Sequence, residues 1–164
     1  MPRGGGTVNQ YSETEVGGLT LSDWDYTETS DKITLTKYKG DQVNVVIPSE
    51  FEGQEGKTVE IKTFDGMFDN LKKENLSGNP KYYNELVSLK VETTDKKVML
   101  GTNTLAYAFD PTGDAVRNQY WFNKLVSIDL SGLDTSSVTN MAYMFAYCLF
   151  KTSQKLYNLV RHCL

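Results

Sequence analysis

The segment Asn84-Glu85-Leu86-Val87-Ser88-Leu89-Lys90-Val91 recurs as Asn123-Lys124-Leu125-Val126-Ser127-Ile128-Asp129-Leu130, and this match decides how the whole chain is read. Both copies follow N-[EK]-L-V-S-Φ-x-Φ, where Φ is apolar. A strand sends alternate side chains to opposite faces. The pattern L-x-x-L-x-L therefore turns its apolar positions inward and leaves Ser88 and Lys90, or Ser127 and Asp129, on the outer face. Val45-Val46-Ile47 fits the last three positions as a weaker copy. Self-similarity at a spacing of a few tens of residues signals stacked supersecondary units, none of which can bury its apolar side alone.

A second signature, Φ-x-x-[MA]-F, follows each strand. It reads Phe64-Asp65-Gly66-Met67-Phe68, then Leu105-Ala106-Tyr107-Ala108-Phe109, then Met141-Ala142-Tyr143-Met144-Phe145. The separation shrinks from 21 residues (Ile47 to Phe68) to 18 (Val91 to Phe109) and 15 (Leu130 to Phe145), differences that belong in loops. Strand and signature together predict rungs with two walls, the second closed by a helical or 3-10 turn. Stacking makes Val45, Leu89 and Ile128 one core column, Ile47, Val91 and Leu130 a second, and Phe68, Phe109 and Phe145 a third.

Outward from the repeats, residues 1–18 are rich in Gly and polar types and read as a flexible leader. Residues 19–58 form an N-terminal β cap and the first strand. Trp24-Asp25-Tyr26, Ile33-Thr34-Leu35-Thr36-Lys37-Tyr38 and Val43-Asn44-Val45-Val46-Ile47 are the strand runs, and Lys39-Gly40-Asp41 between the last two is a hairpin signal. Residues 59–148 carry the irregular repeats, and residues 149–164 are a non-repeat tail.

Composition narrows the function classes. The 164 residues suit one domain. Ten Tyr and thirteen Gly favour strands and turns over a helical bundle. The net charge of −4 arises from scattered acids and bases, and no Lys/Arg cluster suits a phosphate backbone, so nucleic acid is not an expected partner. No run approaches the roughly 20 apolar residues of a membrane span, and Met1 to Val16 has no apolar core of the signal-peptide kind.

Candidate chemistry is thin. The only His, His162, lies in the tail beside Cys163, and with Cys148 it matches no metal spacing. Gly4-Gly5-Gly6 precedes no Lys-Ser/Thr and reads as a tether rather than a phosphate loop. The pairs Asp23/Asp25 and Asp129/Asp134 lie in no motif that would split their pKa values, and Asp134, Thr135 and Ser136 read as turn residues. We therefore expect no catalytic residue, cofactor or metal. A metal-dependent role for the acidic or Cys-His residues is the weaker alternative. The expected binding surface is the outer strand face, Asn44, Ser88, Lys90, Ser127 and Asp129, together with Tyr107 and Tyr143 beside the second signature.

The stretch from Leu130-Ser131-Gly132-Leu133-Asp134-Thr135-Ser136-Ser137-Val138-Thr139-Asn140-Met141 to Cys148 resembles the bacterial surface protein repeat of about 26 residues, the DUF285 family. Its pattern runs D-L-S-x-[FL]-D-T-S-x-V-T-[DN]-M-x-x-M-F-x-x-C. The match covers one full repeat, roughly Asn123 to Cys148, with an eroded version at Asn84 to Phe109. Ile47-Pro48-Ser49 with Gly53, and the Val59-Glu60-Ile61 run, are similar to the entry segment of BspA-like leucine-rich repeat proteins. After Cys148 the pattern stops, and truncation, a shifted reading frame and an unusual cap all fit the tail.

The resemblance implies an α+β fold: a leucine-rich-repeat-like solenoid with parallel rungs and short helical or 3-10 turns, preceded by a small N-terminal β-hairpin cap. It also implies a monomeric, non-enzymatic protein on a bacterial surface or secreted from the cell, adhering to a protein or glycan ligand on a host or neighbouring cell without membrane insertion. A structural spacer within a larger surface protein is the alternative. Three rungs spaced by about 4.8 Å give a strip about 15 Å wide, against about 800 Å² per partner in a stable interface. Longer arrays or several copies would supply the missing area.

Overall fold

The computed structural model describes residues 15–77, 81–109, 120–122 and 124–145. The expected leader up to residue 14, and the tail with Cys148, His162 and Cys163, lie outside them. The described chain is sheet-rich, with two 3-10 turns, Leu21–Asp23 and Asp69–Leu71. Its strands form three sheets, parallel and mixed.

The first sheet holds β1 (Val16–Gly17), β4 (Asn44–Ile47), β8 (Ser88–Val91) and β11 (Ser127–Asp129), in that spatial order and all parallel. Its register pairs Asn44 with Ser88 and Ser88 with Ser127, then Val45 with Leu89 and Leu89 with Ile128. The repeated strings thus lie side by side without a slip. A one-residue slip would carry every apolar side chain to the outer face. Val45, Ile47, Leu89, Val91, Ile128 and Leu130 are all buried, as the first two columns require.

The second sheet faces the same core. It holds β2 (Trp24–Glu28), β3 (Lys32–Tyr38), β5 (Thr58–Ile61) and β9 (Met99–Leu100) in that order. β3, β5 and β9 run parallel, and β2 closes the edge antiparallel to β3. Ile33, Leu35, Val59, Ile61 and Leu100 bury their side chains. A small third sheet orders β6 (Lys72–Glu74), β7 (Tyr82–Asn84) and β10 (Tyr120–Trp121), with β7 between the other two.

Three sequence expectations need correction. The cap hairpin is β2–β3, closed by Thr29 N–H on the Lys32 carbonyl (2.9 Å), and Lys39-Gly40-Asp41 is no hairpin turn. β3 and β4 both turn alternate apolar residues to one core from different walls, so each pairs with its own parallel neighbours and the chain crosses between sheets at residues 39–43. There the Asn70 side-chain amide donates to the Lys39 and Gly40 carbonyls at 2.9 and 2.6 Å.

The leader expectation also ends too late, because Val16 and Gly17 pair with Asn44 and Val45. Gly18 (φ +95°) then seats Trp24: a Cβ at Gly18 would overlap the Val46 carbonyl oxygen, and Trp24 Nε1–H donates to the Gly18 carbonyl at 2.8 Å.

The aromatic column is the third correction. Phe109 stacks on Phe145 at 5.8 Å and 4°, but the ring of the first signature that meets it is Phe64, tilted at 5.2 Å, while Phe68 lies against Tyr38 at 6.1 Å. The first signature is followed at once by the 3-10 turn Asp69–Leu71, which turns Phe68 toward the β2–β3 end of the core.

Candidate binding face

The outer side of the first sheet is built from two rows that the register aligns across strands. Asn44, Ser88 and Ser127 form one row and Val46, Lys90 and Asp129 the next. Because β4, β8 and β11 run parallel, equivalent positions of the repeated string lie about 4.8 Å apart. Together with Val16 they line an open depression of about 410 Å³. Five of the seven expected contact residues therefore converge on one face.

Within the first row the Ser88 hydroxyl donates to Asn44 Oδ1 at 2.6 Å, fixing the amide from the neighbouring strand. Ser127 and Lys90 are exposed. Lys90 forms no ion pair among the described residues. Asp129 departs from expectation: it is only 7% exposed, and its carboxylate accepts the backbone N–H of Ser131 at 3.1 Å and also the Ser131 hydroxyl. The carboxylate folds back onto the turn after β11, so Asp129 shapes the end of the face instead of offering a free charge.

Tyr107 and Tyr143 are brought to each other, away from the depression. Their rings stack at 5.3 Å and 8°, and Tyr143 is 63% exposed. Both backbones are left-handed, φ +58° and +55°, and the matching residue of the first signature is Gly66 at φ +71°. All three turns are built alike. The oxygen of the preceding side chain, Thr63 Oγ1, Thr104 Oγ1 or Asn140 Oδ1, accepts the N–H two residues on, at 3.1, 3.1 and 2.9 Å. A turn bond follows, from Met67 to Phe64, Ala108 to Leu105 and Met144 to Met141 (3.2, 3.1 and 3.2 Å). Positive φ at the third position of such a turn normally selects Gly. Tyrosine in that place is uncommon. The second and third turns also bond to each other, Tyr107 N–H to the Ala142 carbonyl at 3.1 Å and Phe109 N–H to the Met144 carbonyl at 2.9 Å.

Of the acids considered for chemistry, Asp23, Asp129 and Asp134 cap turns, and Asp25 in β2 pairs with Lys39 at 3.7 Å. Asp134 Oδ1 accepts the Ser136 N–H at 2.9 Å, and the Ser136 hydroxyl, followed by that N–H, holds the carboxyl below its usual range. Asp23 accepts the Gly18 N–H at 2.8 Å. Among the described residues no group of three His, Cys, Asp or Glu side chains gathers to hold a metal. Nor is any helix among them long and apolar enough to cross a membrane.

Sequence reasoning missed two parts of this arrangement. Val16 was hidden in the presumed leader. Asn84 opens the repeated string and is fully buried, its side chain donating to the Phe68 carbonyl and accepting the Leu86 N–H, both at 2.8 Å. An Asn held at the same place in two strings was the available signal for such a fastener. No family model, curated protein or solved structure matches the chain.

Proposed function

We propose that this chain is a non-enzymatic binding module, a short irregular solenoid of leucine-rich type, acting as a monomer in a bacterial cell-surface or secreted protein. Its ligand is a protein or glycan of a host or neighbouring cell, met by the outer face of the parallel sheet. The surface assignment follows the resemblance to the bacterial surface protein repeat and the BspA-like proteins.

One observation supports the binding role above all. The repeated strings N-x-L-V-S-Φ-x-Φ bury their Φ positions for stability, which leaves Ser88, Lys90 and Ser127 outside the apolar core. Those positions nevertheless gather into one depression with a fixed amide, hydroxyls and an exposed ammonium. A face of this size is modest, so affinity per copy is weak and gains from repetition.

The test compares the protein with a face variant, Lys90→Glu combined with Ser127→Tyr, and a control variant, Lys73→Glu, on glycan and matrix-protein arrays. All three exchanged side chains are exposed. A ligand bound by the protein and the control but lost by the face variant supports the proposal. If every bound ligand is held equally by the face variant, the sheet is a spacer and the binding role falls.

A further inference from the structure

We infer that the depression on the sheet of β1, β4, β8 and β11 takes a carboxylate-bearing sugar, a uronic acid unit, with its carboxylate on Lys90. This rests on the binding role proposed above and names the ligand chemistry for that face.

The floor of the depression is β8, which is hydrogen-bonded to β4 on one side and β11 on the other. Its backbone groups are spent in those ladders. An extended peptide that binds by adding a strand needs an open edge, which this floor does not offer. Recognition here has to come from side chains.

Those side chains are of three kinds. Lys90 supplies an exposed ammonium without an ion pair among the described residues, while its register neighbour Asp129 is drawn onto Ser131. An anionic group is therefore favoured at Lys90, where it would form a charge-assisted hydrogen bond. Asn44, Ser88 and Ser127 supply an amide and two hydroxyls in a single row. Asn44 Oδ1 is occupied by the Ser88 hydroxyl, so its NH₂ is left to donate outward. Val16, 40% exposed, and Val46 supply apolar contact.

A ligand matching all three carries one carboxylate, several hydroxyls and an apolar ring face, which describes a uronic acid. The volume of about 410 Å³ lies at the small end of ligand sites, about 300–1,000 Å³, and fits one or two sugar units.

Calorimetric titration of the full chain with methyl glucuronide, methyl glucoside and N-acetyl-glutamate amide tests this. The glucuronide is expected to bind about tenfold or more tighter than either other probe, and weaker as salt rises. Lys90→Gln is expected to lose about tenfold, and Lys90→Arg to retain most of the affinity. Equal affinity for glucuronide and glucoside, undiminished binding in Lys90→Gln, or preference for the glutamate probe would overturn the uronate assignment. If the glucuronide fails while the face variant still loses an array ligand, the face binds something else and only the uronate falls. If the face variant loses nothing, both proposals fall.

Discussion

Replacing Tyr143 by alanine and by glycine separates backbone strain from ring contact in the repeated turn. At φ +55° an alanine keeps the strain of the tyrosine and loses the stacked ring, whereas glycine loses the ring and the strain together. Left-handed φ costs an L-residue about 1–2 kcal/mol. Glycine gives back about 0.5–1 kcal/mol of that through its more flexible unfolded chain. The stacked ring contributes about 0.5–1.5 kcal/mol, toward the lower end for a side chain 63% exposed. Tyr143→Ala is therefore expected to destabilise by about 0.5–1 kcal/mol, and Tyr143→Gly to lie within about 0.5 kcal/mol of the parent. This reverses the usual order, in which glycine is the less stable of the two. Urea unfolding with a shared m-value measures both. Gly66→Ala is the mirror experiment: its new Cβ would meet only Asp69, at 3.4 Å, so a loss of about 1 kcal/mol there reports strain without a clash. If Tyr143→Gly proves less stable than Tyr143→Ala, the turn is not held left-handed and the account of the three signatures is wrong.

Gly132 lies in the phrase after β11, where a Cβ would overlap the Glu92 carbonyl oxygen and stand 2.6 Å from its carbonyl carbon. Gly132→Ala should destabilise by about 2–3 kcal/mol or more, because backbone cannot rotate aside, and an unchanged urea midpoint would contradict it. Asn84→Ala leaves the Phe68 carbonyl and Leu86 N–H without this partner inside the core and should cost about 2–3 kcal/mol by the same assay. Burial, then the charge of Asp23, pushes the Tyr38 hydroxyl from 10.0 up to about 12. Its folded pKa being the higher, the contribution is fully present below pH 10.0 and is lost as pH rises toward 12; stability should fall over that window less steeply in Tyr38→Phe than in the parent. Trp24→Phe removes the bond from Nε1–H to the Gly18 carbonyl and should lower stability by about 1–2 kcal/mol, with loss of hydrogen-exchange protection at Val16 and Gly17 before the rest of the sheet.

What could be read directly from sequence was whatever packing repeats. Leu89 and Ile128 share a column because both occupy the same Φ position, and a strand that slipped by one would expose it. The outer row of Asn44, Ser88 and Ser127 followed from the same parity. Partner choice between strands was not legible. Val43 to Ile47 could pair with Ile33 to Tyr38 by local turn chemistry or with Ser88 to Val91 by stacking, and burial on both walls decided for stacking. The fate of Asp129 was equally hidden, since alternation places it outward but says nothing of Ser131 two residues on, whose N–H draws the carboxylate down. The left-handed turns could have been found by aligning the signatures, for Gly66 sits where Tyr107 and Tyr143 do. A glycine at one copy of a turn states what the backbone requires at the others.

The spacing of the copies explains how so irregular a chain keeps a regular face. Strand positions repeat after 88 − 44 = 44 residues and then 127 − 88 = 39, while turn positions repeat after 104 − 63 = 41 and then 140 − 104 = 36. Each strand-to-turn stretch is thus three residues shorter than the one before, which supplies three of the five residues by which the strand period shrinks, and the other two come from the turn-to-strand stretch, 25 residues (63 to 88) and then 23 (104 to 127). Yet β4, β8 and β11 stay in register, and Thr104 still bridges Asn140. Changing loop length costs little, since closure entropy grows only logarithmically, whereas a strand slip would expose a whole apolar set. The loops therefore absorb the irregularity and the sheet face does not feel it. The same division frees the outer rows: Ser88, Lys90 and Ser127 lie on the face away from the apolar core and outside the loops that change length, so exchanges there are expected to leave the fold in place.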